Sequence, residues 1–560
     1  MEHNKVYKLG IRREEFNKWE RRVVLTPKNC RRLLFEMGDK LIIKVQPSES
    51  RIFKDNQFRA VGCVIDEDIT DCDVILGVKQ VPRKSLYPDK TYMFFSHVIK
   101  AQKDNMEMLD HILANNIRLI DYERIADSKG RLVAFGTFAG NAGVIDIFSG
   151  LGAFLLNRGI GTPFINISQS YMYLNIDTAK NSIRTSSIRI ETEGLSHHLT
   201  PFIVGVTGNG RAATGAREIL ELMPHEYITP EELPILMEAA TKDPASYNQC
   251  IYIVNFMHEH LVQKIDDDGK PFDKQDYYAN PFKYKGTFQK TYLPYLSVLM
   301  NCMYWDDKFP RLITGEHLQK YIKEGNSLRL LAISDVTCDY MGSIDFLKKF
   351  TTIDKPFFVY HPESMDTNDD YQDAKKGILY DSIENMPTQF PLDASSHFGS
   401  QLVKFIIPIL KSDFNADIDN QNLPDPIKRA VITHKGKHTP LYTYISKLRQ
   451  SKEVGIEAPT HNIQQFRKAV AGQTSYIVKF TGHLFDTNAI NEILDYLIDQ
   501  EKIFASIVNW NVGFGTDKPT SCTIKLVPTD RKDIIEAKLK EICEKKDISM
   551  MVGSIQQETD

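Results

Sequence analysis

The sequence predicts an α/β protein: two doubly wound parallel-sheet domains flanking a cleft, followed by a small α+β domain. Three observations predict it. Short apolar runs rich in β-branched and aromatic residues alternate with helical stretches up to about residue 450, which is the pattern of β-α-β units around a buried parallel sheet. One of those runs, Phe202–Val206, enters a glycine turn and then a helix. Beyond residue 473 the order of elements changes to β-α-β-β-α-β. A chain of 560 residues is also too long for one core.

Taken in order, Lys5 to Ile11 alternates into a strand. Thr26-Pro27 then caps a helix that runs to Met37 and stops at Gly38. Leu41–Val45, Val74–Leu76 and Tyr92–Phe95 read as further strands, and after a helix over Ala101–Asn115 so does Arg118–Ile120. Arg12, Arg13, Arg21 and Arg22 crowd the first strand-to-helix connection. They make either a solvated charged loop or a carboxylate grip, which the planar guanidinium suits.

The pivotal stretch is Asp73–Gln102. Lys79 follows one strand and His97 follows the next. In open α/β sheets ligands bind outside the carboxyl ends of the strands. If the two strands are parallel neighbours, an amine and an imidazole converge in one cleft, where burial and mutual repulsion draw both pKa values toward neutrality and suit them to move protons. The alternative is a solvated loop lysine and a helix-capping histidine.

Gly136–Gly159 is apolar, rich in small residues and helical in period; it either joins two domains or forms a plain core helix. Pro201–Leu222 gives a strand, the turn Gly208-Asn209-Gly210, and a helix opening near Arg211, with Gly215 placed to face the strand. A pyrophosphate is received at such a helix N-terminus; a tight turn without a ligand is the other reading. The next strand, Glu226–Ile228, ends in Thr229-Pro230 rather than in an acid, although Glu231 is near. A missing acid there favours a 2′-phosphorylated cofactor. Residues 266–290 read as an irregular excursion. Leu296–Tyr304 and Leu328–Ile333 are strands, and Asp335 lies at the carboxyl end of the second, in reach of a cofactor. Met365–Lys376 reads as an acidic loop, and Asp393–Leu410 as a helix returning to the first domain.

The resulting map has one Rossmann-like substrate domain at 1–135 and 340–450, a nucleotide-binding Rossmann-like domain at 136–339, a polar linker at 451–473 and a small ferredoxin-like domain at 474–560. The net charge is −4 with no long basic block, which argues against nucleic acid as a partner. Eight scattered cysteines without a C-x-x-C pair read as reduced thiols and give no metal site. No run is expected to span a bilayer and only a few residues precede the first strand, so a cytoplasmic, membrane-free protein is expected.

Several separated segments together resemble one family: GIRREEFNKWERRVVLTP, LGVKQVP, TYMFFSHVIKAQ, RLIDYE, VAFGTFAGNAG, DVTCDYMGSIDF and SIENMPTQFPLDAS. Residues 5–450 resemble the lysine-ketoglutarate reductases and, more distantly, saccharopine and alanine dehydrogenases. Residues 474–555 resemble the small domain between the enzyme halves of bifunctional forms, without the second half, so a monofunctional enzyme is implied. The resemblance implies an NADP-dependent oxidoreductase that condenses L-lysine with 2-oxoglutarate, through a carbinolamine and an imine, to saccharopine in lysine degradation. It places the acid–base groups on Lys79 and His97, and the carboxylate-gripping arginine on Arg22. Acids that tune the pair fall on Glu20 and Glu123, with Phe135 and Arg131 beside substrate. Gly208, Gly210, Arg211, Gly215 and Asp335 fall to the cofactor, NADPH or NADP. The glycine spacing of TGNGRAATGA departs from that of relatives. Rival readings are an NAD-dependent saccharopine dehydrogenase working toward lysine, an alanine dehydrogenase-like enzyme, and an inactive metabolite-binding regulator. A homo-oligomer is compatible with all of them.

Overall fold

The computed structural model describes residues 5–128, 130–266, 269–372 and 376–453, and toward the C-terminus 476–482, 492–493, 496–497, 505–511, 520–526, 532–546 and 548–554. The chain forms two units, 1–450 and 451–560. The larger contains two lobes, each built on an eight-stranded sheet.

In the first lobe β1 (Tyr7–Ile11), β2 (Leu41–Val45), β3 (Val64–Ile65), β4 (Val74–Leu76), β5 (Thr91–Phe94) and β6 (Arg118–Asp121) lie in the order β3-β2-β1-β4-β5-β6. All five pairings are parallel. The chain winds outward from β1 to β3, then returns and winds the other way, so the order reverses between β1 and β4. Strands β4, β5 and β6 are buried at every position, as central parallel strands covered on both faces must be. The first helix, α1 (Pro27–Met37), starts where the sequence indicates. The Thr26 hydroxyl accepts from the Asn29 N–H, Asn29 Oδ1 accepts from the Thr26 N–H at 2.9 Å, and Pro27 opens the helix. A short hairpin, β7 (Ala126–Asp127) with β8 (Gly130–Arg131), ends the chain's first pass through this lobe.

Helix α2 (Gly136–Leu156) carries the chain into the second lobe. Contrary to expectation, it is long and apolar enough to cross a membrane by composition, yet 78% of its apolar window is buried within the protein. Its Ala142, Ile145, Phe148 and Leu151 belong to the core on one face of the second sheet. That sheet consists of β9 (Phe202–Thr207), β10 (His225–Ile228), β11 (Ile251–Phe256), β14 (Val298–Asn301), β15 (Ala332–Asp335), β16 (Phe357–His361), β17 (Asp366–Asn368) and β18 (Ile378–Asp381), in the order β10-β11-β9-β14-β15-β18-β16-β17. Strands β12 (Val262–Lys264) and β13 (Tyr284–Gly286) pair separately. Pairings are parallel from β10 to β18, and β16 and β17 close the edge antiparallel. Helix α3 (Arg211–Leu220) follows β9.

Three expectations are corrected here. The second lobe does not stop at 339: β16, β17 and β18 extend its sheet to Asp381, because the run Phe357–Tyr360 is itself an apolar strand buried in that core. Met365–Lys376 is not all loop, since β17 hydrogen-bonds β16. The 266–290 excursion carries a helix at Lys274–Ala279 and the strand β13.

Helix α4 (Pro391–Lys411) returns to the first lobe, where Phe398, Leu402 and Ile406 join its core. Strands β19 (Val431–His434) and β20 (Lys437–His438) then extend the first sheet antiparallel beyond β6. In the smaller unit β21 (Tyr476–Gly482), β22 (Ala505–Asn511), β23 (Thr520–Leu526) and β24 (Ser549–Ser554) form an antiparallel sheet in the order β22-β23-β21-β24, with α5 (Lys532–Lys545) before the last strand. These elements follow the expected succession. The expected helix at 488–499 and the linker at 451–473 fall mostly outside the described residues.

Candidate active site

Lys79 and His97 sit at the tips of neighbouring strands. β4 and β5 pair in parallel, and pairing continues past their ends: the Gly77 N–H donates to Met93 O at 2.9 Å and the Phe95 N–H to Val78 O at 3.0 Å. The backbone leading to Lys79 is pinned by a carboxylate that sequence reasoning passed over. Glu14, buried behind Arg12, accepts from the N–H groups of Val78 (2.7 Å) and Lys79 (3.0 Å). Burial pushes the Glu14 carboxyl up, against the Arg12 charge.

His97 occupies the left-handed region at φ 52°, an uncommon conformation for a residue other than glycine and one that recurs at functional sites. Asp121, at the end of β6, fixes that turn. Its carboxylate accepts from the N–H (3.1 Å) and hydroxyl of Ser96 and from the Glu123 N–H (2.8 Å). One buried acid thus holds the approach to His97 and the backbone of Glu123 together, and burial pushes its own carboxyl up to about 6.

Lys79, His97, Arg22, Glu123, Arg131 and Phe135 line one cavity of about 520 Å³, with Arg211 reaching it from the second lobe. That volume suits a small-molecule ligand. Arg22 and Glu20 are both buried and joined as a fork, Nε to Oε1 at 2.8 Å and Nη2 to Oε2 at 2.6 Å. The guanidinium lies 4.2 Å from the centre of the Phe135 ring, which stacks on Phe398 at 4.4 Å, a cation–π arrangement strengthened by desolvation. Asn385, another residue the sequence reading missed, touches both partners: its Oδ1 lies 3.3 Å from Arg22 Nη2 and its Nδ2 lies 3.4 Å from Glu20 Oε2. Arg22 Nη1 has no hydrogen bond among the described residues. Glu20 therefore fixes Arg22 directly. Glu123 pairs at the cavity rim with Arg131 at 3.2 Å.

The electrostatics are those of a proton-handling pair. Burial holds the Lys79 ammonium below its ordinary value, followed by the charge of Arg22, while Glu20, Glu384 and Glu14 oppose. Burial likewise holds His97 below its ordinary value, followed by the charge of Lys79, with Glu123 and Glu384 opposing. Desolvation and a like charge disfavour the protonated forms of both.

On the second lobe Gly208 takes φ 86° at the end of β9, where only glycine is unstrained. Gly210 caps α3, with open space where a side chain would be. The first intrahelical bond runs from the Thr214 N–H to Gly210 O at 2.9 Å, so the N–H groups of Arg211 to Ala213 precede the ladder and suit an anionic group. The turn packs beside Cys302 and Met303, which follow β14. It therefore opens at the crevice between β9 and β14, where this sheet reverses direction and ligands bind. The Arg211 guanidinium donates to the Arg131 carbonyl across the crevice.

Three cofactor expectations are corrected. Gly215 does not face β9: an added Cβ would lie 2.0 Å from Thr137 O of α2, so Gly215 serves a helix crossing. Asp335 is buried, and its carboxylate is consumed by Asn301, Thr337, the Cys338 N–H and the Tyr380 hydroxyl; it braces the floor of the crevice. The strand beside β9 is β11, not β10: Phe256 pairs with Thr207, and β10 lies outside β11. The place of a ribose-binding acid is thus the end of β11, at Asn255–His258, and Thr229-Pro230 does not bear on it.

Residues 10–142 match the alanine dehydrogenase/PNT N-terminal domain. Over 580 aligned residues the chain is 37% identical to alpha-aminoadipic semialdehyde synthase of Arabidopsis thaliana, covering 99% of this chain and 53% of that protein. The chain is a homologue of the alpha-aminoadipic semialdehyde synthases. The mitochondrial synthase of Mus musculus is 36% identical over 458 residues, 80% of this chain and 48% of that protein. This synthase homologue therefore spans about half the length of the curated relatives it matches. A saccharopine dehydrogenase [NAD(+), L-lysine-forming] of Emericella nidulans is 24% identical over 419 residues, 73% of this chain and 94% of that protein.

Proposed function

We propose that the chain is a lysine–2-oxoglutarate reductase that uses NADPH to form saccharopine. The observation that carries the reading is the convergence of Lys79 and His97, at adjacent parallel strand tips, on a cavity that is also lined by Arg22 and by Arg211, the residue after the glycine turn. The synthase relatives support the same reaction class.

Arg22 Nη1 and the rim guanidinium of Arg131 hold substrate carboxylates, for which the charge-assisted fork is suited. The Phe135 wall covers the Arg22 face and keeps water from it. His97, neutral at pH 7 because of its lowered pKa, takes a proton from the ε-ammonium of lysine and frees that nitrogen to add to the keto carbon. The Lys79 ammonium gives a proton to the carbinolamine hydroxyl, which leaves as water and yields the imine. The Arg211–Ala213 N–H groups would hold the diphosphate of NADPH, which when bound would supply the hydride for the imine carbon. Support for the phosphorylated cofactor is that Asn255–His258 ends β11 without an acid, the first carboxylate, Glu259, lying in the helical turn beyond it.

A second reading, an NAD-dependent enzyme working toward lysine, is favoured by the relative named for that reaction. The test follows reduced-nicotinamide absorbance with lysine and 2-oxoglutarate, each omitted in turn. The proposal expects loss of NADPH only when both are present, with saccharopine as product. Equal or faster turnover with NADH favours the second reading. Turnover with ammonia and pyruvate instead, or binding without turnover, contradicts the proposal.

A further inference from the structure

We infer that Arg217 reads the 2′-phosphate of the cofactor's adenosine ribose and sets the preference for the phosphorylated dinucleotide. The inference rests on the nucleotide-lobe reading above and adds the residue that carries its specificity.

The strand order is the first observation. Because β11 is inserted between β10 and β9, the ribose of a dinucleotide on the Gly208–Gly210 turn lies beside the end of β11. That end reads Asn255-Phe256-Met257-His258, and the strand itself carries no carboxylate; the first one is the exposed Glu259, in the helical turn that follows. Arg217 is the second observation. It sits on the second turn of α3, and helical side chains lean toward the N-terminus. Its guanidinium accordingly reaches back to the glycine turn. Nη2 lies 3.1 Å from Asn209 Oδ1 and 3.4 Å from Thr214 Oγ1. Nη1 lies 3.3 Å from Asn255 Oδ1 and 3.5 Å from Gly208 O. The guanidinium therefore spans the turn and the end of β11.

Every one of those partners is neutral. Arg217 forms no ion pair among the described residues. A full positive charge is thus held by amide and carbonyl oxygens at the point where a ribose acid would stand in an enzyme for the unphosphorylated cofactor. The two asparagine oxygens orient the planar fork without neutralising it. A phosphate monoester supplies the missing countercharge through short charge-assisted bonds, while a 2′-hydroxyl leaves the guanidinium without one.

The test titrates the full chain with 2′,5′-ADP and 5′-ADP by calorimetry, alongside Arg217→Met and Arg217→Lys. The unmodified chain is expected to bind 2′,5′-ADP about tenfold or more tighter than 5′-ADP, the value of one hydrogen-bonded charge pair. Arg217→Met should remove that margin and leave 5′-ADP affinity within about twofold, and Arg217→Lys should keep part of it as a point charge without the fork. Equal binding of the two fragments by the unmodified chain overturns the inference. So does a parallel loss of both in Arg217→Met, which would make Arg217 a brace for the glycine turn. Failure of the unmodified chain to bind either fragment or NADPH overturns the nucleotide-lobe reading itself, and the inference with it.

Discussion

At the scale of single residues, the site depends on groups whose charge states are set by burial and by each other. His97 is held below its ordinary value of 6.5, first by burial and then by Lys79. If it accepts a proton in the forming direction, kcat/KM stays level as pH falls from neutrality through 6.5. It then declines by about tenfold per pH unit below the folded-state pKa, and a pH–rate profile measures this. His97→Gln should abolish that limb; a limb centred at or above 6.5 would contradict the assignment. Linkage has a definite sign as well. Between the lowered folded-state pKa and 6.5 the unfolded chain binds more protons, so His97 subtracts stability as pH falls through that window and subtracts none above it. Lys79 and His97 were legible from the sequence because each follows a recognisable strand, whereas the charged turn alone did not tell Arg22 from Arg12, Arg13 and Arg21 and only the family resemblance singled it out. Glu14, Asp121 and Asn385 were not legible. Their roles consist of hydrogen bonds to backbone or to side chains remote in sequence, such as Asn385 with Glu20, and no local pattern encodes such a pairing.

At the scale of elements, strand identity was readable from composition and neighbour identity was not. The runs forming β4, β5 and β9 are apolar and rich in β-branched or aromatic residues, and their places follow from that, whereas the equally apolar run of β11 was passed over. Whether β10 or β11 lies against β9 is decided by how two helix-linked crossovers pack, and a single sequence carries no sign of it. Gly215 shows the same division. Its position after the glycine turn suggested a strand contact, while the crossing of α2 and α3 gives it a helix contact. Gly140 on α2 and Gly215 on α3 sit at that crossing, where added Cβ atoms would lie 1.8 Å from Ala212 O and 2.0 Å from Thr137 O. Gly215→Ala should therefore cost about 1–3 kcal/mol or more through overpacking. Urea denaturation would show this as a lowered midpoint at unchanged m. An unchanged midpoint would mean that the helices separate freely and that the crossing does not hold the second lobe together.

At the scale of the whole molecule, the 1–450 unit is two doubly wound sheets joined by two long helices, and the cavity lies where the carboxyl ends of one sheet meet the helix N-terminus of the other. The two-lobe plan was legible because β-α-β alternation specifies parallel sheets and each sheet reverses direction once. The boundary near 340 was not, because β16 to β18 follow a loop-rich stretch whose return to the second sheet is a long-range pairing. The central claim is that an amine and an imidazole on adjacent strand tips move the protons of a carbon–nitrogen condensation. Steady-state turnover of Lys79→Met and His97→Gln with lysine, 2-oxoglutarate and NADPH, in proteins that still bind the dinucleotide, tests it most directly. Each variant should be slower by about a hundredfold or more; near-normal rates in both would contradict the account.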